Sequence, residues 1–157
     1  MIRSCLLCVG TKDSLEKLIR FRCSSNKRDY MKFVFSIPVN EDISSSAEKL
    51  TPRADLPQDE LLHTGYCGYE CMSMLNRRGF EDKFVICGVE GPSRDYPTHD
   101  LVFPQGRTER GETAREAAVR EFFEETGIKV NNTSKNIRLL GFTGKRKEMS
   151  VFVCSVQ

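Results

Sequence analysis

One helix is bracketed more firmly than anything else in this chain, and it stands between segments that read as strands. Thr113 followed three residues later by Glu116 has the spacing of a capping box, in which each side chain satisfies the other's backbone N–H. Gly127 sits where a helix of roughly residues 114–126 would stop, since glycine takes the left-handed conformation of a C-cap at no steric cost. Upstream, KFVFSIPV and KFVICGV are rich in β-formers, and DLVFP reads as a short strand ending at Pro104. Downstream, IRLLGFTG and MSVFVCSV read as two strands around the turn KRKE. A capped helix set among strands predicts a mixed α/β chain with a largely antiparallel or mixed sheet.

The remaining segments are assigned with less pattern to work from. IRSCLLCVG reads as a strand, and SLEKLIRFR as a short helix with Leu15, Leu18 and Ile19 on one face. GYCGYECMSML, with its tyrosines and cysteines, reads as a strand that turns through NRRGFED and returns as KFVICGV. NEDISSSAEKLTPRADLPQDE is a polar loop or linker. The organisation expected is an extension or family-specific part at residues 1–60 and a core at 61–157.

The 157 residues suffice for one domain with a real core, and 39% hydrophobic with 29% charged residues is ordinary for a folded protein. No apolar run approaches the ~18–20 residues of a membrane span, and no signal peptide is expected at the N-terminus. Seven cysteines cannot all pair, and Cys5, Cys8, Cys67, Cys71, Cys87 and Cys154 lie among apolar neighbours. A reducing, cytoplasmic location is the expectation. Cys5 and Cys8, with Cys23, Cys67 and Cys71, could form a zinc site, but only His63 and His99 are available and the usual paired spacing is missing. Buried strand cysteines are the expected reading.

Chemistry concentrates in residues 106–128. At about 100° per residue, Glu121, Glu124 and Glu125 fall within an arc of roughly 100°, with Val119, Phe122 and Phe123 on another side. Carboxylates at i, i+3 and i+4 repel one another, and the negative end of the helix dipole disfavours them further. Something cationic should compensate. Arg120 can pair with Glu124 four residues on, and a hard divalent ion such as Mg²⁺ or Mn²⁺ suits an oxygen-only set. A solvated acidic helix end is the plainer alternative. Residues 129–157 carry Lys129, Lys135, Arg138, Lys145, Arg146 and Lys147 against Glu148 alone. Such a segment either accommodates phosphates or is simply a solvated basic turn.

The spacing Gly106, five residues, Glu112, seven residues, then Arg120-Glu121-Phe122-Phe123-Glu124-Glu125-Thr126-Gly127-Ile128 resembles the Nudix box, G-x5-E-x7-R-E-U-x-E-E-x-G-U, where U is a bulky apolar residue. All nine specified positions match, and the preceding LVFPQGR is similar to the strand and loop that enter the box. The resemblance is strong at 101–128 and extends over about 62–157. It implies a Nudix-like α/β/α sandwich around a mixed β-sheet, here with an N-terminal extension and a short C-terminus. It also implies divalent-metal-dependent hydrolysis of a pyrophosphate bond in nucleoside-diphosphate-linked substrates.

Carried over by position, the resemblance makes Glu121, Glu124 and Glu125 metal ligands, with the Gln105 backbone carbonyl as a further donor. Arg120 would orient the glutamates, and Glu112 would brace the loop or join the metal shell. A base is expected in the box, at Glu121, with Glu148 as the alternative. Arg107, Lys145, Arg146 and Lys147 are the candidate substrate contacts. Tyr66, Tyr69 and Tyr96 could stack on a base, although packing in a core or interface is the expected role of each, and His99 is expected to be structural or solvated. The helix that relatives carry after the box is expected to be missing or replaced by packing from residues 1–60, which could also form a homodimer interface. Substrates consistent with the resemblance are capped RNA, ADP-ribose or dinucleoside polyphosphates, and nucleoside triphosphates. The different class is a non-catalytic module that binds nucleotide or RNA.

Overall fold

Strands that are apolar on both faces need cover on both, and the sheet of this chain receives it. The computed structural model describes residues 2–21, 33–40, 61–64, 67–90 and 99–156. The elements are β1 (Arg3–Gly10), α1 (Lys12–Arg20), β2 (Phe33–Pro38), β3 (Leu61–Thr64), α2 (Gly68–Arg77), β4 (Phe84–Glu90), β5 (His99–Val102), β6 (Gln105–Arg107), α3 (Ala114–Thr126), β7 (Ile137–Thr143) and β8 (Met149–Ser155). Their strands form one mixed sheet in the order β3-β5-β4-β1-β8-β7, with β2 on β4 and β6 on β1. β1 runs parallel to β8 and β3 parallel to β5; the other pairs are antiparallel. This is the α/β sandwich that the sequence implied.

The two-residue period of β1 divides the core. Cys5, Leu7 and Val9 join one apolar cluster with Cys71, Met72 and Leu75 of α2. Leu6 and Cys8 face the other way, into a cluster with Leu15 of α1 and Ala118 and Phe122 of α3. β8 alternates in the same sense, Met149, Val151 and Val153 against Phe152 and Cys154. Such strands read as continuous apolar runs because neither face meets water. Cys5 and Cys8 therefore point to opposite faces. Among the described residues no three His, Cys, Asp or Glu side chains are gathered to hold a metal, a zinc site included.

The segment GYCGYECMSML is a helix over most of its length, not the strand expected. Its buried residues Gly68, Cys71, Met72 and Leu75 are spaced i, i+3, i+4, i+7, the period of one helix face. Tyrosine and cysteine favour strands only weakly, and tertiary packing of that face overrides them. Consequently KFVICGV has no hairpin partner there. β4 pairs along its length with β2, from Phe33↔Val89 to Pro38↔Phe84. The layer opposite α3 is thus supplied by α2, neither absent nor built from residues 1–60. Residues 3–10 lie in the middle of the sheet, where β1 is flanked by β8 on one edge and by β4 and β6 on the other, so β1 is buried in the fold itself. Cys23, Tyr66, Tyr96 and the polar stretch 41–60 lie outside the described residues. No helix among the described residues is long and apolar enough to cross a membrane.

Candidate active site

The helix that carries the acids begins and ends where its caps dictate. Thr113 Oγ1 accepts from Glu116 N–H (3.1 Å) while Glu116 Oε1 accepts from Thr113 N–H (3.1 Å), and Gly127 at φ 75° closes the last turn on Phe123 O (2.8 Å). The buried side of α3 is Ala117, Ala118, Phe122 and Thr126; Val119 and Phe123, expected to point inward with Phe122, are only partly buried. The two alanines present no bulk, so α3 can sit close over β1 and β6. That closeness brings Glu121 to the loop.

Arg120 organises the acids. Its Nε donates to Glu112 Oε2 (2.8 Å) and its Nη2 to Glu112 Oε1 (3.1 Å), a two-point fork. Nη2 also donates to the Arg107 carbonyl (3.0 Å), while Nη1 donates to Glu121 Oε1 (2.9 Å) and Glu124 Oε2 (3.2 Å). Glu109, which is well exposed, stands 3.6 Å from the same nitrogen. Glu125 faces elsewhere: its Oε2 accepts from Gln105 N–H (2.9 Å), tying the helix end to β6. Glu112 closes its own loop by accepting from Glu109 N–H (3.0 Å). Box residues far apart in sequence are thereby joined, with Arg120 as the cation between Glu121 and Glu124.

The environments of the acids differ. Hydrogen bonding to Arg120 holds the Glu112 carboxyl below its ordinary range. Burial pushes Glu121 up, against the opposing pull of Arg120 and the positive charge of Arg3. The Arg120 guanidinium is raised by Glu112 first, so it stays charged throughout. Two neighbouring carboxyls with proton affinities pushed apart suit different tasks.

Gly106 shows why the box begins with glycine. A Cβ there would lie 2.1 Å from Glu121 Cδ and 2.4 Å from both carboxylate oxygens. The absent side chain is the seat of the Glu121 carboxylate. Because that group is the far end of a flexible chain, it can yield. Gly106→Ala should therefore shift the melting temperature by no more than about 4 °C, or roughly 1 kcal/mol. It should lower hydrolysis about 100-fold by displacing the carboxylate. A variant as active as wild type would show that this seat is not used.

The donor chemistry fits a hard divalent cation. The side chains are oxygen-only, a glycine leaves room for one of them on the backbone, and Arg120 already neutralises part of their charge. The basic candidates stand at one end of the sheet. Arg3 is in register with Arg107 on one side and with Met149 on the other, two strand spacings or about 10 Å in all. The turn bearing Lys145, Arg146 and Lys147 immediately precedes Met149, and Arg3 N–H donates to Glu148 O (2.7 Å). The Glu148 carboxylate accepts from Arg146 N–H (2.9 Å), within its own turn.

Arg3 escaped the sequence reading. Its Nε donates to Gln105 Oε1 (3.2 Å) and its charge acts on Glu121, but 102 residues separate it from Gln105. A lone cation opening a buried strand was the available signal. Arg115 was also passed over; its guanidinium donates to the carbonyls of Asn132, Ser134 and Ile137 and pins the loop after α3. His63 and His99 belong to β3 and β5, where Leu61 pairs with His99 and His63 with Asp100. Tyr69, expected to pack, is exposed.

Comparison with known proteins agrees with this arrangement. An RNA pyrophosphohydrolase of Sodalis glossinidius is 42% identical over 62 residues, covering 38% of this chain and 33% of that protein. Nudix hydrolase 13, mitochondrial, of Arabidopsis thaliana is 48% identical over 50 residues, 32% of this chain and 23% of that protein. An RNA pyrophosphohydrolase of Pseudoalteromonas atlantica is 35% identical over 75 residues, 45% and 41% of the two chains. The matched part spans about a third of the length of the first of these relatives. No solved structure matches the chain. Residues 74–156, more than half of the 157, match the NUDIX domain, and the chain belongs to that family.

Proposed function

We propose that this chain is a divalent-metal-dependent pyrophosphohydrolase acting on the phosphoanhydride at the 5′ end of an RNA, capped or triphosphorylated. The observation that carries the reading is the Arg120 fork, which gathers Glu112, Glu121 and Glu124 beside the Gly106 seat. Relatives named RNA pyrophosphohydrolase support the choice of substrate. Internal RNA linkages are phosphodiesters, so a pyrophosphate bond in RNA is found at its 5′ end. Arg3, Arg107 and the 145–147 turn, together at one end of the sheet, suit the polyanion that follows.

Each residue's part follows from its surroundings. Glu121, Glu124 and Glu125 would hold Mg²⁺ or Mn²⁺, with the Gln105 carbonyl. When bound, the ion offsets phosphate charge and lowers the pKa of a coordinated water. Glu121, raised by burial, is the proton acceptor for the attacking water. Glu112, held ionised, keeps Arg120 in place rather than exchanging protons. Arg120 fixes the carboxylates before substrate arrives, so little reorganisation is required during reaction.

The test is a panel of cap-labelled RNA, 5′-triphosphorylated RNA, ADP-ribose, diadenosine polyphosphates and nucleoside triphosphates, each with Mg²⁺ or Mn²⁺ and again with EDTA. Release of m7GDP or pyrophosphate from RNA, abolished by EDTA, is expected. Preferred release of AMP from ADP-ribose would replace RNA by a sugar nucleotide. Nucleotide binding without turnover of any substrate would indicate a non-catalytic module.

A further inference from the structure

Tyr69 and Phe142 are large side chains that the fold leaves 61% and 53% exposed, and both border the same cleft. The cleft, about 370 Å³, lies between the first turns of α2 and the end of β7 with its following turn. Lys147 and Arg77 lie on its walls. Thr143, also on its wall, is 4% exposed, and its hydroxyl has no hydrogen-bond partner. Buried hydroxyls are seldom left so, because losing water without a replacement costs about 1–3 kcal/mol. Two exposed rings, two cations and an unused hydroxyl match the demands of one ligand type: a planar heterocycle attached to phosphate. Glu70 does not spoil the match, since its Oε2 accepts from Gly144 N–H (3.0 Å) and joins α2 to the turn.

The cleft is also tied to the box. Its turn leads into Met149, which is in register with Arg3, and Arg3 is in register with Arg107 beside Gly106. On the α2 side, Cys5 of β1 packs in one cluster with Cys71, with Cys67 against it, next to Tyr69 in sequence. The neighbouring residue on the box strand, Gln105, pairs with Cys5 and carries the hydrogen bond to Glu125. A chain with its 5′ phosphates at the box can reach the cleft.

We propose that the Tyr69–Phe142 cleft seats a base of the substrate RNA, the two rings stacking on it, Thr143 Oγ1 hydrogen-bonding to it, and Lys147 and Arg77 meeting its phosphates. The inference rests on the function proposed above and names a subsite for it. The base stacks without covalent change, so binding alone reports it. The experiment titrates a fluorescein-labelled, 5′-triphosphorylated RNA decamer into the chain in EDTA, where turnover cannot intervene. Tyr69→Ala and Phe142→Ala should each weaken binding about tenfold, a fold-change within the stacking range, while Tyr69→Phe keeps wild-type affinity. Phe21→Ala, removing an equally exposed ring beside α1, should change nothing. Inorganic pyrophosphate, read by competition, should bind all four variants alike.

No RNA binding by the wild-type chain would overturn the inference, as would equal RNA affinity of Tyr69→Ala, Phe142→Ala and wild type. A dimer that dissociates in those variants while RNA affinity holds would overturn it in favour of a second copy. Tyr69-dependent RNA binding without RNA turnover would leave the subsite standing and remove the proposed activity. RNA turnover with Tyr69-independent binding would do the reverse.

Discussion

Replacing Glu121 by glutamine is expected to cut hydrolysis by about 10²–10⁴-fold, the range for losing a positioned proton acceptor. It should leave the melting temperature within about 3 °C of wild type. The two halves of this expectation have different origins. Burial already disfavours the charged form of Glu121, so a neutral side chain of the same shape relieves a local cost. Arg120 loses one acceptor of the several it holds but keeps Glu112, Glu124 and the Arg107 carbonyl. The fold has little reason to notice. Chemistry does, because glutamine accepts no proton at neutral pH and is a poorer donor to a hard cation. Measuring initial rates and thermal melts on the same preparation separates these effects. A fully active Glu121→Gln enzyme would refute the assignment, and an unfolded one would move Glu121 from chemistry to structure.

Arg120→Ala should fail on both counts, losing hydrolysis about 100-fold or more and melting about 5–10 °C lower. The guanidinium makes charge-assisted bonds to three carboxylates and a carbonyl. Such bonds contribute about 1.5–3 kcal/mol each when enclosed, and partial exposure of Arg120 and Glu124 reduces the sum to roughly 2–4 kcal/mol. At about 2–4 °C per kcal/mol for a domain of this size, the predicted shift follows. Without Arg120, Glu112, Glu121 and Glu124 face one another with no cation between them. Added Mg²⁺ or Mn²⁺ should therefore raise the melting temperature of Arg120→Ala more than that of wild type, since an ion bound only by the folded state stabilises it. Arg120→Lys keeps the charge but cannot form the two-point grip on Glu112, and should fall between the two. Equal responses to metal in all three proteins would show that Arg120 is not the cation of this acid cluster.

Local signals in the sequence were read well where a short segment carried its own instruction. Thr113, Glu116 and Gly127 marked α3 to the residue, because capping depends on neighbours one turn away. The KRKE turn separated β7 from β8 for the same reason. The reading of α2 failed although its signal was present. The spacing Gly68, Cys71, Met72, Leu75 is helical, but tyrosines and cysteines suggested a strand, and residue type was given weight over period.

Residue spacing alone determined which side chains could gather at the box, since a helix converts an interval into a direction. It also determined that something cationic must answer three acids crowded at a helix end. Only the tertiary structure decided which cation stands there, that Gly106 is empty for the sake of Glu121, and that Glu125 turns away to Gln105. It also brought Arg3 to the box and set Tyr69 beside Phe142. These pairs are joined by strand register and by helices laid across a sheet, through contacts between residues far apart in the chain. No local interval encodes them; they exist once the apolar faces of β1, β4 and β8 have been buried.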